Sequence, residues 1–424
     1  MIDYQLATSR RYTCFQAQRR LSAARWFAAL VLLPNLATAQ SSIPAAETPA
    51  QSTELDAKPS LSLHGNHRSD LISNLRGGLK QGSSWLGYTD LKLEIDLERT
   101  IALSNTRFYS QFHSELGGKP NAQLVGSYMG INNIEVNTNT AQLSQFWLEK
   151  VSADGALSLL GGLYALDSEF YVTESSGIFL QPPLGIGTSI GQTGKNGPPI
   201  FPRTSLGLRL KYQLPSQSYA QIALMDGVPG DPDNHHGTHV KLAKGDGTIG
   251  IVEIGTLSSG QGATSPHISK LALGYWKYTS PYPDLLNFTQ THLNHGWYVL
   301  GEFSLLGTSD ASDKKLTGFL RFGTANANLY QVDWSFSAGF NYTGFLAERP
   351  NDVLALAMTN SHTSRRYQIA QQAENHESIL EMTYKYQYNQ HLAIQPVVQF
   401  VMNPNMSKSV SNASVVGIRF DLNF

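Results

Sequence analysis

The 424-residue sequence contains a single cysteine, Cys14, and few charged residues. Charged side chains make up 15% of the chain and the formal net charge is −1 at pH 7, so nothing in the composition indicates nucleic-acid binding. Beyond residue 39 no run of about 20 apolar residues occurs, so no transmembrane helix is expected there. Because lipid offers no hydrogen-bond partner, every backbone polar group must be satisfied within the protein, so a membrane-spanning form of this chain would have to be a closed β-barrel.

The N-terminal residues 1–39 have the three parts of an export signal peptide. Several arginines precede an apolar segment from Trp26 to Leu36, and Ala37-Thr38-Ala39 is a small-residue cleavage site. We therefore expect the mature chain to start at Gln40. The mature chain then lacks cysteine, which excludes disulfides and cysteine-based metal or redox sites.

Residues 40–60 are rich in Ser, Ala and Pro, and we interpret them as a flexible periplasmic lead-in to a domain over 61–424. Between Tyr88 and Thr100 that domain alternates strictly: Leu and Ile occupy one face, and five charged residues occupy the other. Unpaired charges are too costly to bury in a packed core, so the charged face must meet water. A soluble sheet would turn it to solvent, whereas a porin would turn it to a wet lumen and the Leu/Ile face to lipid. This segment alone leaves both open.

The C-terminal half repeats the alternation in several segments. They run from Leu380 to Tyr388, from Leu392 to Phe400 and from Val416 to Phe424. Successive segments of about ten residues with a polar second face predict an all-β, transmembrane antiparallel β-barrel of the outer-membrane porin type. A soluble sandwich or barrel is the alternative.

Two further features favour the membrane barrel. Aromatic residues fall at segment ends, as interface girdles require; they include Trp276, Tyr278, Tyr384 and Tyr388. The final strand ends on the aromatic Phe424, which resembles the recognition signal of outer-membrane barrels. The outer-membrane lipid and the barrel-assembly machinery are therefore expected partners.

The chain resembles the carbohydrate-selective porins of the OprB type over nearly all of its mature length. The C-terminal motifs carry most of the resemblance: Glu377-x-x-x-Glu381-x-x-Tyr384, Gln395-Pro-x-x-Gln399, Asn403-Pro404 and Gly417-x-Arg419. Upstream, Arg349-x-x-Asp352, the segment from Gln145 to Glu149, and Gly207-x-Arg209 match as well. Asn405 departs from the pattern, because the family usually has glycine after Asn-Pro.

The resemblance implies a 16-stranded barrel in the outer membrane of a Gram-negative bacterium. It also implies passive diffusion of carbohydrates, monosaccharides such as glucose, with no catalysis and no cofactor. Residues 61–424 leave about 23 residues for each strand and its connection in such a barrel, and barrels of 16–18 strands hold an aqueous channel. A general or ion-selective porin and an outer-membrane barrel enzyme remain alternatives. A monomer and a homotrimer both remain open.

Two local patterns point to other chemistry and are set aside. Gly187-x-Ser189-x-Gly191 matches the nucleophile motif of serine hydrolases, but it lies in a Gly/Pro-rich loop and not between a strand and a helix. A cluster of Asp and His residues could bind a divalent metal, yet no strand or helix spacing fixes its geometry, so we expect no metal there. The cluster comprises Asp231, Asp233, His235, His236 and His239.

Strand parity identifies the side chains expected to face the lumen. Arginine and carboxylate groups there can hydrogen-bond the paired hydroxyls of a sugar, or can simply be wetted charges that set ion preference. The loop 181–202, which precedes the strand of Arg209, either folds inward as a constriction or is an ordinary surface loop. If it folds inward, Arg209 lies near the narrowest point of the lumen, and it is therefore the favoured residue. The candidates for the substrate path are Arg209, Lys211, Glu94, Asp96, Glu149, Glu253, Arg321 and Glu381, and Lys92, Lys385 and Arg419 share their face.

Overall fold

The computed structural model describes residues 60–258, 266–307 and 314–424. The expected signal peptide, its cleavage site and residues 40–59 of the lead-in lie outside the described residues. None of the helices in the described residues is long and apolar enough to cross a bilayer.

The described residues form sixteen β-strands that close into one barrel. Each strand pairs antiparallel with its neighbours in sequence, and β1 pairs with β16, where Asp70 lies opposite Arg419. The strands are β1 Leu61–Gly78, β2 Gly82–Asp96, β3 Thr106–Gly117, β4 Ala141–Val151, β5 Leu157–Tyr164, β6 Ser205–Leu214, β7 Ser218–Asp226, β8 Thr248–Leu257, β9 His267–Pro283, β10 Thr291–Leu306, β11 Lys315–Thr324, β12 Val332–Thr343, β13 Val353–Thr363, β14 His376–Gln387, β15 Leu392–Met402 and β16 Ser411–Asn423.

Three short α-helices lie in the connections: α1 Leu97–Ile101, α2 Thr188–Gly191 and α3 Arg365–Gln371. Single turns of 3₁₀-helix occur at Leu166–Ser168, Ser175–Ile178, Pro182–Leu184 and Pro404–Met406, and a π-helical turn spans Asn121–Val125.

The two ends of the barrel differ in the length of their connections. Residues 118–140, 165–204 and 227–247 connect strands at one end, while 152–156 and 215–217 connect them at the other. Bacterial barrels have short periplasmic turns and longer extracellular loops, so the long connections mark the extracellular end. Both terminal strands meet at the periplasmic end, where the Gly65 amide donates to the Phe424 carbonyl at 2.7 Å.

The outer face of the barrel is apolar, as the alternation predicts. On β6, Leu206, Leu208 and Leu210 are 39%, 61% and 41% exposed, whereas Arg209 between them is 1% exposed. The same parity holds on β16, where Phe420 and Leu422 face outward. The soluble alternative would bury these residues, so the burial pattern supports a lipid-facing wall.

The assignment of Trp276 and Tyr278 to an interface girdle is wrong. Both side chains are buried inside the barrel, and their neighbour Tyr275 faces outward instead. On β9 the outward register falls on the odd-numbered residues, so these two large aromatics pack inward against Ile186 and Ile190.

Candidate functional site: a lumen narrowed by two loops

Two long extracellular connections fold into the barrel. We call residues 118–140 loop A and residues 165–204 loop B. Loop A buries Met129 and Ile131 against the inner faces of β14 and β15, and loop B buries Tyr171 in the cluster that contains Trp276. The loops cover apolar side chains of the inner wall that would otherwise be in contact with water. This burial stabilises the loops in their position inside the barrel. The expected alternative for 181–202, an ordinary surface loop, is therefore wrong.

Two glutamates of β14 fix the two loops separately. Glu377 accepts hydrogen bonds from the amides of Tyr128 and Met129 in loop A at 2.9 and 3.0 Å. Glu381 accepts from the amides of Leu180 and Gln181 in loop B at 2.7 and 3.1 Å. The two glutamates are four residues apart, so both point inward on one strand. This spacing explains the Glu-x-x-x-Glu motif as a pair of loop anchors.

The glutamines of β15 make the same kind of contact. Gln395 donates to the carbonyl of Ile178 in loop B at 2.7 Å, and Gln399 donates to the carbonyl of Ile131 in loop A at 2.8 Å. Gln399 also donates to Glu381 at 2.9 Å, which links the two strands of anchors.

Arg419 is a further anchor of loop A and lies at the seam where β16 pairs with β1. Its guanidinium forms a bidentate pair with Asp70 at 2.8 and 2.7 Å and donates to the amide oxygen of Asn133 in loop A at 2.8 Å. Bidentate Arg–carboxylate pairs combine strength with fixed geometry. Gly417 in the same motif leaves room at this seam, since a Cβ there would lie 2.5 Å from Ile72 Cδ1.

Arg321 and Glu253 hold loop B from the opposite wall. Arg321 on β11 donates to the carbonyls of Leu184 and Gly185 at 2.5 and 2.9 Å, and Glu253 on β8 accepts from the Tyr171 amide at 3.0 Å. Both side chains are buried. Like Glu381, they lie on the inner face as expected; the Nη1 and Nη2 groups of Arg321 bind the loop, and Glu253 accepts from the loop and from Tyr219 and Tyr298 of the wall.

Arg209 lies at the foot of loop B. It donates to Glu169 in the loop and to Glu149 on β4, each at 2.7 Å, and to the hydroxyl of Ser158 at 2.5 Å. It is 1% exposed, so water reaches this cluster chiefly through the carboxylates. Lys211, two residues further on, is half-buried with its ammonium group 5.4 Å from the centre of the Tyr219 ring.

Open space remains on the side of the lumen formed by β1 to β4. A cavity of about 570 Å³ separates loop A from the 182–203 part of loop B, and a second of about 240 Å³ lies against the inner wall. Asn133, Phe201 and Pro202 line both. The second, smaller cavity is also lined by the rings of Tyr88 and His113 and by the amides of Gln111 and Gln145.

Three aromatic rings cluster at this smaller cavity. The ring centroids of Tyr88, His113 and Phe201 are 5.4 to 5.7 Å apart. Polar side chains surround them on β3 and β4, where the amide of Gln145 donates to Gln111 at 2.8 Å.

The periplasmic mouth is a third open region of about 690 Å³ on the same wall. Glu94 and Asp96 line it with side chains that are each 41% exposed, and Arg107 bridges to Glu149 at 2.7 Å. Asp96 also caps helix α1 by accepting from the amides of Glu98 and Arg99. Of the eight candidates, Glu94, Asp96 and Glu149 thus border open space.

The Arg349-x-x-Asp352 element stabilises a periplasmic turn. Arg349 forms two hydrogen bonds to Asp352 at 3.0 and 3.2 Å, and the Tyr384 hydroxyl donates to Asp352 at 2.6 Å. Burial alone would raise the pKa of Asp352, but these hydrogen bonds and one from the Gln387 amide outweigh it and lower the pKa. Tyr384 of the C-terminal motif therefore anchors a turn, in parallel with the glutamates that anchor loops.

The central residues of the two patterns set aside are engaged in other contacts, although Gly191 of the first motif lines the larger cavity. Ser189 of the Gly-x-Ser-x-Gly motif is buried on α2 and accepts from the hydroxyl of Ser335 at 3.0 Å, not from a histidine. In the Asp/His cluster, Lys241 binds both Asp231 and Asp233, at 2.7 and 3.0 Å. Within the described residues no group of three metal-ligating side chains comes together.

Parity alone missed several residues that shape the lumen. Asp70 and Glu302 share the inward face with the eight candidates, and Glu302 accepts from the Ser175 amide at 2.5 Å. The sequence showed Tyr88 only as the start of an alternating segment, and Phe201 only as a residue of the loop 181–202. Their inward parity or loop position was visible, but the pairing of rings from β2 and loop B depends on the tertiary fold.

The comparisons with known proteins agree with this geometry. The sequence profile of the carbohydrate-selective porin, OprB family matches residues 80–424. Porin B of Pseudomonas aeruginosa is 21% identical over 398 residues, which cover 84% of this chain and 86% of that protein. The high-pH structure of Pseudomonas putida OprB superimposes with a TM-score of 0.76 at 17% identity and covers 86% of this chain and 94% of that one.

A more distant fold match is the outer-membrane channel DcaP of Acinetobacter baumannii. It has a TM-score of 0.51 at 11% identity, and the match covers 86% of this chain and 97% of that one. The profile match extends over most of the barrel and includes the motifs that anchor loops A and B. The chain belongs to the OprB family of carbohydrate-selective porins, non-enzymatic channels of the Gram-negative outer membrane.

Proposed function

We propose that monosaccharides such as glucose cross this barrel by diffusion through the open space between loops A and B. The observation that carries the proposal is the cavity in which the partly exposed ring of Phe201 lies beside the polar groups of Gln111 and Gln145, while its neighbours Tyr88 and His113 are buried. A pyranose has an apolar ring face and a rim of hydroxyls. Aromatic rings can pack on the former, and amides can hydrogen-bond the latter.

The eight candidate residues divide into two roles in this proposal. Glu94, Asp96 and Glu149 meet the sugar, or small ions, at the periplasmic mouth, and Lys211 is half-buried on β6 beside Tyr219. Arg209, Glu253, Arg321 and Glu381 act through the loops and carboxylates that they hold. No energy coupling is needed, since the sugar moves down its own gradient.

The test is the swelling rate of liposomes that contain the purified protein. Glucose should enter faster than amino acids of equal size, and Phe201→Ala should reduce this preference. Phe146→Ala is the matched control, because Phe146 is 51% exposed on the outer face and its loss should leave the lumen unchanged. Equal rates for glucose and amino acids would instead indicate a general porin, and lipid hydrolysis by the pure protein would indicate an enzyme.

We also propose that the barrel-assembly machinery recognises β16. Phe424 is 67% exposed at the periplasmic rim, where an assembly factor could reach it. Deletion of Phe424 should lower the amount of barrel in the outer membrane without changing the conductance of the channels that do assemble.

A further inference from the structure

A buried carboxyl group without a hydrogen-bond partner lies beside His113 of the smaller cavity. Glu115, near the extracellular end of β3, is 1% exposed, and neither of its carboxyl oxygens accepts a hydrogen bond within the described residues. Nε2 of His113 lies 3.1 Å from Oε1, but the same nitrogen is 2.8 Å from the side-chain nitrogen of Gln142. The amides of Glu115 itself and of Thr140 are close but not aligned for a hydrogen bond. A buried carboxylate without donors is costly, so this arrangement suits the protonated acid.

Arg203, near the end of loop B, is a cation without a partner. In the described part of the chain its guanidinium forms neither a hydrogen bond nor an ion pair. It lines the larger cavity of about 570 Å³ on one side and a crevice toward the 227–247 connection on the other. It is close enough to Glu115 for the charges of the two groups to interact. An unpaired cation and an unpaired buried acid therefore lie near each other.

The other carboxylates around Arg203 are already engaged. Asp231, which lines the crevice, binds Lys241 at 2.7 Å. Glu135, which lines the larger cavity, accepts from the Asn121 amide at 2.8 Å. Three ionisable groups face Glu115, and they come from β2, β3 and loop B: Tyr88, His113 and Arg203. Of these, only the guanidinium can supply both a permanent positive charge and several donors.

The backbone on both sides of Arg203 is held in place. The side chain of Gln142 donates to the Pro202 carbonyl at 2.7 Å, and the Thr204 hydroxyl donates to the Ser144 carbonyl. A change of partner therefore needs only a rotation of the Arg203 side chain, and no movement of loop B.

We propose that Glu115 and Arg203 form a pH-dependent switch of the charge in the larger cavity. While Glu115 carries its proton, Arg203 stays unpaired and contributes its positive charge to the cavity. When Glu115 releases that proton to water, Arg203 turns to the carboxylate and forms a buried ion pair, because an uncompensated buried charge is costly. A rise in pH thus removes a positive charge from the pore and increases its preference for cations. The inference rests on the proposed function in one respect, that the larger cavity conducts.

Reversal potentials in planar bilayers under a KCl gradient test the switch. They are measured at about pH 5 and about pH 8, since ordinary exposed carboxyl groups are ionised at both. The cation-to-anion permeability ratio of the wild type should rise at least about twofold, as expected for one unit charge about 8 Å from a permeating ion in water. Glu115→Gln should keep the low ratio of the acid form at both pH values, and Arg203→Gln should keep a high ratio at both. The double variant should behave as Arg203→Gln does, since the two changes act on one charge.

Glu348→Gln is the matched control and should show the wild-type rise, because Glu348 is exposed in the periplasmic turn between β12 and β13. Histidines that line open space, such as His64, titrate over the same range and add a background shared by all variants. A wild-type rise no larger than that of Glu115→Gln would overturn the proposal. An undiminished rise in Arg203→Gln would overturn it too, because Glu115 would then act through its own charge. Absence of a glucose preference in liposome swelling, with the rise intact, would count against the proposed function and leave the switch standing.

Discussion

Replacing Glu381 with alanine should release part of loop B from the barrel wall and widen the pore. Glu381 accepts hydrogen bonds from the amides of Leu180 and Gln181 and from the side chain of Gln399, at 2.7, 3.1 and 2.9 Å. Each buried donor left without an acceptor costs about 1–3 kcal/mol. Only the two amides belong to loop B, since Gln399 lies on β15; together they amount to at least about 2 kcal/mol, which raises the population of a detached loop about thirtyfold.

Single-channel recording in planar bilayers measures the effect. Glu381→Ala should give a higher and noisier conductance and a weaker block of ion current by glucose. Glu381→Gln retains one acceptor oxygen and should fall between the variant and the wild type. Glu348→Gln is the matched control for charge, because Glu348 is exposed in the periplasmic turn between β12 and β13, away from both loops. Wild-type conductance and glucose block in Glu381→Ala would refute the anchoring role.

Three further predictions concern the wall, the foot of loop B and the N-terminus. Leu208→Arg should destabilise the barrel by about 2–4 kcal/mol in urea unfolding from lipid vesicles, because it places a charge in lipid, and Gln145→Arg, which places the same charge in the wet lumen, should not; equal losses would contradict the assigned faces. Arg209→Ala leaves the carboxylates of Glu149 and Glu169 without their shared cation, so reversal potentials should shift toward cation preference and glucose block should weaken; an unchanged reversal potential would rule out an electrostatic effect on the pore. Intact-mass measurement of outer-membrane material should give a chain that starts at Gln40, and a retained Cys14 would contradict the cleavage site.

The alternation of apolar and polar residues was enough to predict the barrel and the inward face of most strands. Leu208 and Arg209 show why: a period of two places neighbours on opposite sides, and only one side of a porin strand tolerates charge. The register of β9 was misjudged because Trp276 and Tyr278 suit an interface girdle as well as an apolar contact inside the barrel. Parity gives the face of a residue but not its environment there.

The roles of inward residues were beyond the reach of the sequence for the same reason. Arg321 and Glu253 have the parity of lumen charges, yet they bind the backbone of a loop that is far away along the chain. Whether an inward side chain meets water or a loop depends on how loop B folds, and no short motif encodes that path. The recurring motifs are in large part the anchors of this fold: Glu381 holds a loop, and Tyr384 holds a turn.

The most direct test of the account is which side of the lumen carries sugar. A single cysteine can be placed at Gln145, which lines the smaller cavity, or at Ser337 on β12. Ser337 is buried, and Ser335 and Asn341 on either side of it along the strand hydrogen-bond loop B. Glucose influx into liposomes is then measured before and after treatment with a charged methanethiosulfonate. The account predicts that Gln145→Cys reacts and loses glucose influx, while Ser337→Cys keeps it. Loss of influx at Ser337→Cys with none at Gln145→Cys would place the path on the other side of the loops and contradict the account.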